Sequence, residues 1–228
     1  MLKIQENSRQ VPRSKETVSN KNYSDQIYGY LQSISEWDGI VGHPRYVKKK
    51  DIVYKTMADI IGVSRQTASA HFKKMVDGGT TGKQLGLIKE SDDRYELVPL
   101  PQNLASLVSR QTLAILVSSL NKNAISIYTF LLNEYIKHKE QPFQTNIDII
   151  KEFIGIGTKS RSNNETVTNI FYVLQKLGLM KYYYNENTYG EGKRSYVITW
   201  MTNTLDEDFK FEEEKCQAIY ESLNLDKC

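Results

Sequence analysis

One phrase occurs twice in the chain, as Leu85-Gly86-Leu87-Ile88-Lys89 and as Leu177-Gly178-Leu179-Met180-Lys181. Each copy follows a stretch with helical periodicity and precedes two short β-type runs. A second echo lies upstream of each, Ala58-Asp59-Ile60-Ile61 and Ile147-Asp148-Ile149-Ile150. The order helix, short helix, helix, hairpin is therefore expected twice. With 228 residues, of which 39% are hydrophobic, the chain is long enough for two small cores.

Local signals divide the chain further. Residues 1–22 are polar and mildly basic and read as a flexible arm. A helix begins near Ser24, read as its N-cap, and Gly39, Gly42 and Pro44 break it. A short helix over 56–61 ends at Gly62. Ser64 caps a longer helix that stops at Gly78-Gly79. Strands over 87–90 and 94–98 flank a Ser91-Asp92-Asp93 turn. Residues 102–122 read as an apolar helical linker, its helix over 104–120 a candidate dimer contact. The second unit, 123–204, shows helices over 123–137, 147–153 and 164–177, then strands over 181–184 and 195–200. Residues 205–228 read as an acidic helical tail. The expected class is mainly α with small β-hairpins (α+β): two winged helix-turn-helix domains, 23–101 and 123–204, in tandem.

The helix-turn-helix reading of the first unit rests on residues 57–75. Ala58 is small where two helices cross, Gly62 permits the turn, Val63 fills the space beneath it and Ser64 caps. Ala68, Phe72 and Met75 form one apolar face at i, i+4, i+7. The opposite face carries Arg65, Gln66, Ser69 and Lys73, with Thr67 beside the cap. A helix that reads duplex DNA needs this division, because its apolar stripe anchors it while polar side chains near its start reach base edges. Arg65 suits guanine and Gln66 adenine. Lys73, Lys74 and the run Lys48, Lys49, Lys50 suit phosphates, which set affinity rather than sequence.

Charge placement agrees. Residues 41–90 hold ten Lys or Arg against four acids, whereas residues 205–228 hold three against eight. The modest net charge of +3 thus combines a basic body with an acidic end, a pattern met in proteins that bind nucleic acid. In the second unit, Lys159, Arg161, Asn164, Thr168, Asn169 and Tyr172 flank the stripe of Val167, Phe171 or Ile170, Leu174 and Leu177. Lys193 and Arg194 lie at the tip of its hairpin. This unit reads either as a second DNA contact or as a dimerisation or partner-docking domain.

Other chemistry finds little footing. The loop Gly78-Gly79-Thr80-Thr81-Gly82-Lys83-Gln84 is one residue short of a phosphate-binding loop and puts Gln84 where a magnesium-binding hydroxyl is needed. His43, His71 and His138 form no ligand pair, and Cys216 and Cys228 are too few for a zinc module. The start of the chain has no apolar signal segment and no run approaches a membrane span. A cytoplasmic, non-enzymatic protein without cofactor or membrane contact is expected.

The stretch Leu120-Asn121-Lys122-Asn123-Ala124-Ile125-Ser126-Ile127-Tyr128-Thr129-Phe130-Leu131-Leu132, with Lys176-Leu177-Gly178-Leu179-Met180-Lys181, resembles the opening helix and the helix-to-wing junction in initiator and replisome-organiser proteins of plasmids and phages of Gram-positive bacteria. The resemblance implies binding to repeated origin sites on double-stranded DNA, nucleoid or plasmid association, and recruitment of host replication proteins, here through the acidic tail. The same contacts would serve a transcriptional repressor. A protein-interaction scaffold whose winged helices never touch DNA is the third expectation.

Overall fold

The computed structural model describes residues 8–12, 23–40, 42–76, 87–100, 105–118, 123–185 and 195–203. It opens with strand β1 (Ser8–Pro12) and helix α1 (Ser24–Ile34). Then come β2 (Arg45–Lys48), a 3-10 turn (Lys49–Asp51), α2 (Tyr54–Ile61), α3 (Arg65–Met75), β3 (Ile88–Glu90) and β4 (Arg94–Leu97). β5 (Ala105–Ser109) and α4 (Arg110–Ser118) lead into α5 (Ala124–Lys137), β6 (Phe143–Asn146), α6 (Ile147–Ile154), α7 (Arg161–Lys176), β7 (Met180–Asn185) and β8 (Ser195–Met201). The architecture is mixed α and β, with small antiparallel sheets ordered β1-β5, β2-β4-β3 and β6-β8-β7.

The run helix, strand, helix, helix, two strands is present twice, with the same strand order in each sheet. Matching atoms make the equivalence specific. Tyr28 of α1 and Tyr128 of α5 are both fully buried. Tyr28 donates its hydroxyl hydrogen to the Val98 carbonyl at 3.0 Å, and Tyr128 donates to the Thr202 carbonyl. Those two residues follow the last strand of each unit, and their amides close each hairpin onto Leu87 and Leu179. A buried phenol must find an acceptor, so each tyrosine ties the first helix of its unit to the end of its sheet. Burial raises both phenols well above their ordinary pKa, so both remain protonated donors. The sequence signature is Ile27-Tyr28-Gly29-Tyr30-Leu31 against Ile127-Tyr128-Thr129-Phe130-Leu131, a clearer echo than either phrase noted above.

The third helices match in the same way. Ala68, Phe72 and Met75 are buried in α3, and Val167, Phe171 and Leu174 in α7, along with Ile170 and Leu177. Phe72 meets the edge of Tyr95 and Phe171 that of Tyr196, at 5.0 and 5.2 Å between centroids.

The second echo is corrected by one helical turn. α2 and α6 both end at a glycine in the left-handed region, Gly62 at φ 67° and Gly155 at φ 73°. Val63 N–H then bonds the Ala58 carbonyl, and Ile156 N–H that of Lys151, the bond that closes a helix terminus of this kind. Ala58 therefore corresponds to Lys151, not to Ile147. A shift of four residues is close to one turn of 3.6, so the apolar pattern fits almost as well in the wrong register. Only the glycine stop discriminates.

Four further expectations change. Residues 8–12 of the polar arm form β1, which pairs along its whole length with β5. Val11 is buried there, and Arg9 donates from Nε to the Gln32 carbonyl at 2.9 Å. The helical linker begins instead as that partner strand, and its helix starts only at Arg110, because Ser109 caps it. The helix opening the first unit has Tyr23, not Ser24, at its N-cap position. The dimer-helix expectation for α4 also meets a spent surface: Leu113, Ile115, Leu116 and Val117 are buried within the chain, which packs α1, α4 and α5 together. The crossing is tight at Gly29, where an added Cβ would lie 2.8 Å from Ile125 Cδ1.

Candidate nucleic-acid interface

α3 begins where Gly62 and Ser64 place it. The Ser64 hydroxyl oxygen accepts from Thr67 N–H at 3.1 Å and lies 2.8 Å from Thr67 Oγ1, satisfying one of the orphan donors of the first turn. Ser64 and Thr67 are thereby engaged with each other. With Ala68, Phe72 and Met75 turned inward, Arg65, Gln66, Ser69, Ala70 and Lys73 face outward. Together with Tyr54 they line an open cleft of about 620 Å³. Phe72, buried on the other side of α3, meets Tyr54 and Tyr95 edge-on at 5.7 and 5.0 Å between centroids.

Among the described residues no carboxylate pairs with Arg65, Lys73 or Lys74, and all three are exposed. His71 packs edge-on against Tyr23, and its pKa is lowered by burial and by the Lys74 charge. It is therefore a neutral member of an otherwise cationic surface at neutral pH.

The lysine run is less uniform than the sequence suggests. Lys48 pairs with Glu36 at 2.9 Å and Lys49 with Glu90 at 2.6 Å. These hydrogen bonds raise both ammonium pKa values and lower that of Glu36. Lys50 is exposed, and among the described residues no carboxylate sits on its ammonium. Exposed pairs of this kind are weak and salt-screened, so Lys48 and Lys49 can exchange carboxylate for phosphate, whereas Lys50 has nothing to give up. The β3–β4 turn carries Asp92 and Asp93 beside Glu90, an acidic tip ill suited to phosphate.

In the second unit the equivalent face is occupied by its own bonds. Aligned on their apolar triples, Arg65, Gln66, Ser69 and Lys73 correspond to Asn164, Glu165, Thr168 and Tyr172. Asn164 Oδ1 accepts from Lys151 Nζ, and Thr168 Oγ1 donates to the Asn164 carbonyl. Arg161, 93% exposed, pairs with Glu165 at 3.4 Å. Tyr172 is partly exposed, with Lys176 over its ring at 5.3 Å. Asn169 is half-buried and Lys159 exposed. Lys193, Arg194 and the acidic tail lie outside the described residues.

Lys151 is the residue the sequence reading missed. It is fully buried, and its ammonium donates to the Thr158 carbonyl and to Asn164 Oδ1 and pairs with Asp148 at 3.0 Å. It stitches a longer inter-helix turn, Gly155 to Ser160, to both flanking helices. A signal was present: Ile147, Lys151 and Ile154 fall at i, i+4, i+7, placing a cation on an apolar stripe.

Comparison with protein-family models, with curated proteins and with solved structures finds no match. Among the described residues no cluster of His, Cys, Asp or Glu could hold a metal ion, and no helix is long and apolar enough to cross a membrane.

Proposed function

We propose that the chain is a sequence-specific duplex DNA-binding protein built from two winged-helix units in tandem, and that α3 is its reading helix. The observation that carries this reading is the division of α3: a buried triple on one side, and on the other Arg65, Gln66, Ser69 and Lys73 around an open cleft, with no carboxylate partner among the described residues. Arg65 and Gln66 stand in the first turn, where side chains reach base edges when a helix enters the major groove. Lys73, Lys74 and Lys50 supply the phosphate contacts.

The biological role we favour is replication initiation on a plasmid or phage, without catalysis and with host proteins as further partners. Two units with different outer faces would read one asymmetric site from a single chain, and directly repeated copies of that site would each take one chain. Selection of bound fragments from random duplex DNA, followed by footprinting beside the protein's own gene, tests this. Repeated sites support initiation; a single palindrome over a promoter supports a repressor. Retention of no duplex at low salt overturns the DNA reading and leaves a scaffold. Lys50→Ala should weaken all duplexes alike and reduce the slope of log K against log salt by about 1.

A further inference from the structure

We propose that the outer face of the second sheet binds single-stranded nucleic acid, with Trp200 and Tyr183 as stacking platforms and Lys181 as a phosphate contact. The strand register defines this face. Tyr182 pairs with Ile198 and Tyr184 with Tyr196, and Tyr182 and Tyr196 turn inward against Phe171. Alternation then sends Tyr183 and its partner Val197 outward. Lys181 pairs with Trp200 across the same strands. The register shift between Lys181 and Tyr182 absorbs one residue on β8, so Trp200 also faces outward.

Exposure marks the face as unusual. Tyr183 is 55% and Trp200 40% exposed, whereas the second unit buries Tyr128, Phe143, Phe171 and Tyr196; Tyr172 on α7 and Tyr184 against Tyr196 are also exposed but lie off this face. Lys181 Nζ stands 5.7 Å from the Trp200 ring centroid, within cation–π range. Lys176 makes the same kind of contact over Tyr172 at the end of the neighbouring helix.

Charge selects the occupant. β6, β7 and β8 contain no Asp or Glu, whereas β3 and β4 of the first unit contain Glu90 and Glu96. An acid-free sheet with exposed rings and a lysine suits a polyanion that also presents flat π faces. Duplex DNA keeps its base faces stacked inside and offers only edges and phosphates. An unpaired strand offers both faces and phosphates, and rings on a sheet are the usual platform for it. This surface is separate from α3, so its test can fail without touching the duplex reading.

The test uses the full chain with Trp37→Phe, which leaves Trp200 as the sole tryptophan of the two present. Oligo(dT) and oligo(U) of about 20 nucleotides, longer than typical single-strand sites, are titrated at low salt. Quenching of Trp200 fluorescence is expected, and the two arms tell DNA from RNA. Trp200→Leu and Tyr183→Leu, in the otherwise native chain, should each weaken oligonucleotide retention by ~5- to 150-fold, the equivalent of losing one stacked base. Duplex affinity and the unfolding midpoint should stay unchanged. Arg65→Ala should leave oligonucleotide affinity intact. The proposal is overturned if neither oligonucleotide binds. It is also overturned if the leucine variants bind as tightly as the native chain, or change only sedimentation, which would assign the face to a second copy.

Discussion

The pentapeptide Val-Ser-Arg-Gln-Thr occurs at Val63 to Thr67 and again at Val108 to Thr112, and its two copies meet different fates. Locally they are the same object. Each serine caps a helix, accepting from the threonine amide at 3.1 Å, with the two hydroxyls 2.8 and 2.9 Å apart. Beyond the cap they diverge. Arg65 and Gln66 stand in solvent on the wall of a cleft, while Arg110 donates from Nε to the Ser33 carbonyl at 3.1 Å and Thr112 is fully buried. The residue that follows accounts for much of this. Ala68 lets α3 lie close on its own unit, whereas Leu113 reaches Gly29 and draws α4 into the core between the units. A shared sequence therefore specifies a helix start, and its surroundings specify whether the arginine is a tool or a brace.

The two units repeat that lesson on a larger scale. α3 and α7 share a buried triple, yet the outward face of α7 is bound up with Lys151, with its own carbonyls and with the Arg161 to Glu165 pair. Lys151→Met should give the largest effect that separates them. Losing the ammonium strands the Thr158 carbonyl and Asn164 Oδ1, at a cost of roughly 3 kcal/mol in urea unfolding, with loss of amide protection in the first turn of α7. An unchanged midpoint would mean that the long turn holds itself and that the units differ less than their faces suggest.

Next in size is the arginine pair. Arg65→Ala should lower affinity for the best duplex site by about 2 kcal/mol, ~30-fold, with the unfolding midpoint unmoved. Arg110→Ala should do the reverse, costing about 1 kcal/mol of stability and leaving sequence preference intact. Equal loss of DNA affinity in both would erase the contrast between the copies. Smallest are the caps: Ser64→Ala and Ser109→Ala should each cost ~1 kcal/mol of stability by chemical denaturation. A large difference between them would show that the caps are not equivalent after all.

Much of the molecule was legible from short stretches. Gly62, Gly155 and Gly178 mark helix ends, Ser64 a helix start, and the triples in α3 and α7 the buried faces. Each signal lies within a few residues of what it specifies. The strands β1 and β5 were not legible, because a short polar strand looks like a loop and a short apolar one like the start of the helix that follows it, until the two partners, some ninety residues apart, are in place. Tyr28 and Tyr128 were visible as a paired motif, but nothing local says that each hydroxyl seeks a carbonyl at the far edge of its sheet. The structural role of Asn164 was hidden for a related reason: its polarity was plain, whereas its acceptor role toward a buried ammonium depended on the packing of α6.

The amino-acid order by itself determined where α2 ends and α3 begins, which side of each is apolar, and that one arrangement is made twice, since these follow from backbone geometry and spacing within a turn or two. Tertiary structure decided which polar side chains remain available. Arg65 and Arg110 share the two residues on either side, and the approach of a carbonyl 77 residues distant to Arg110 is what makes it a brace. Such a meeting depends on the packing of whole helices against each other, and no local window of sequence contains both partners.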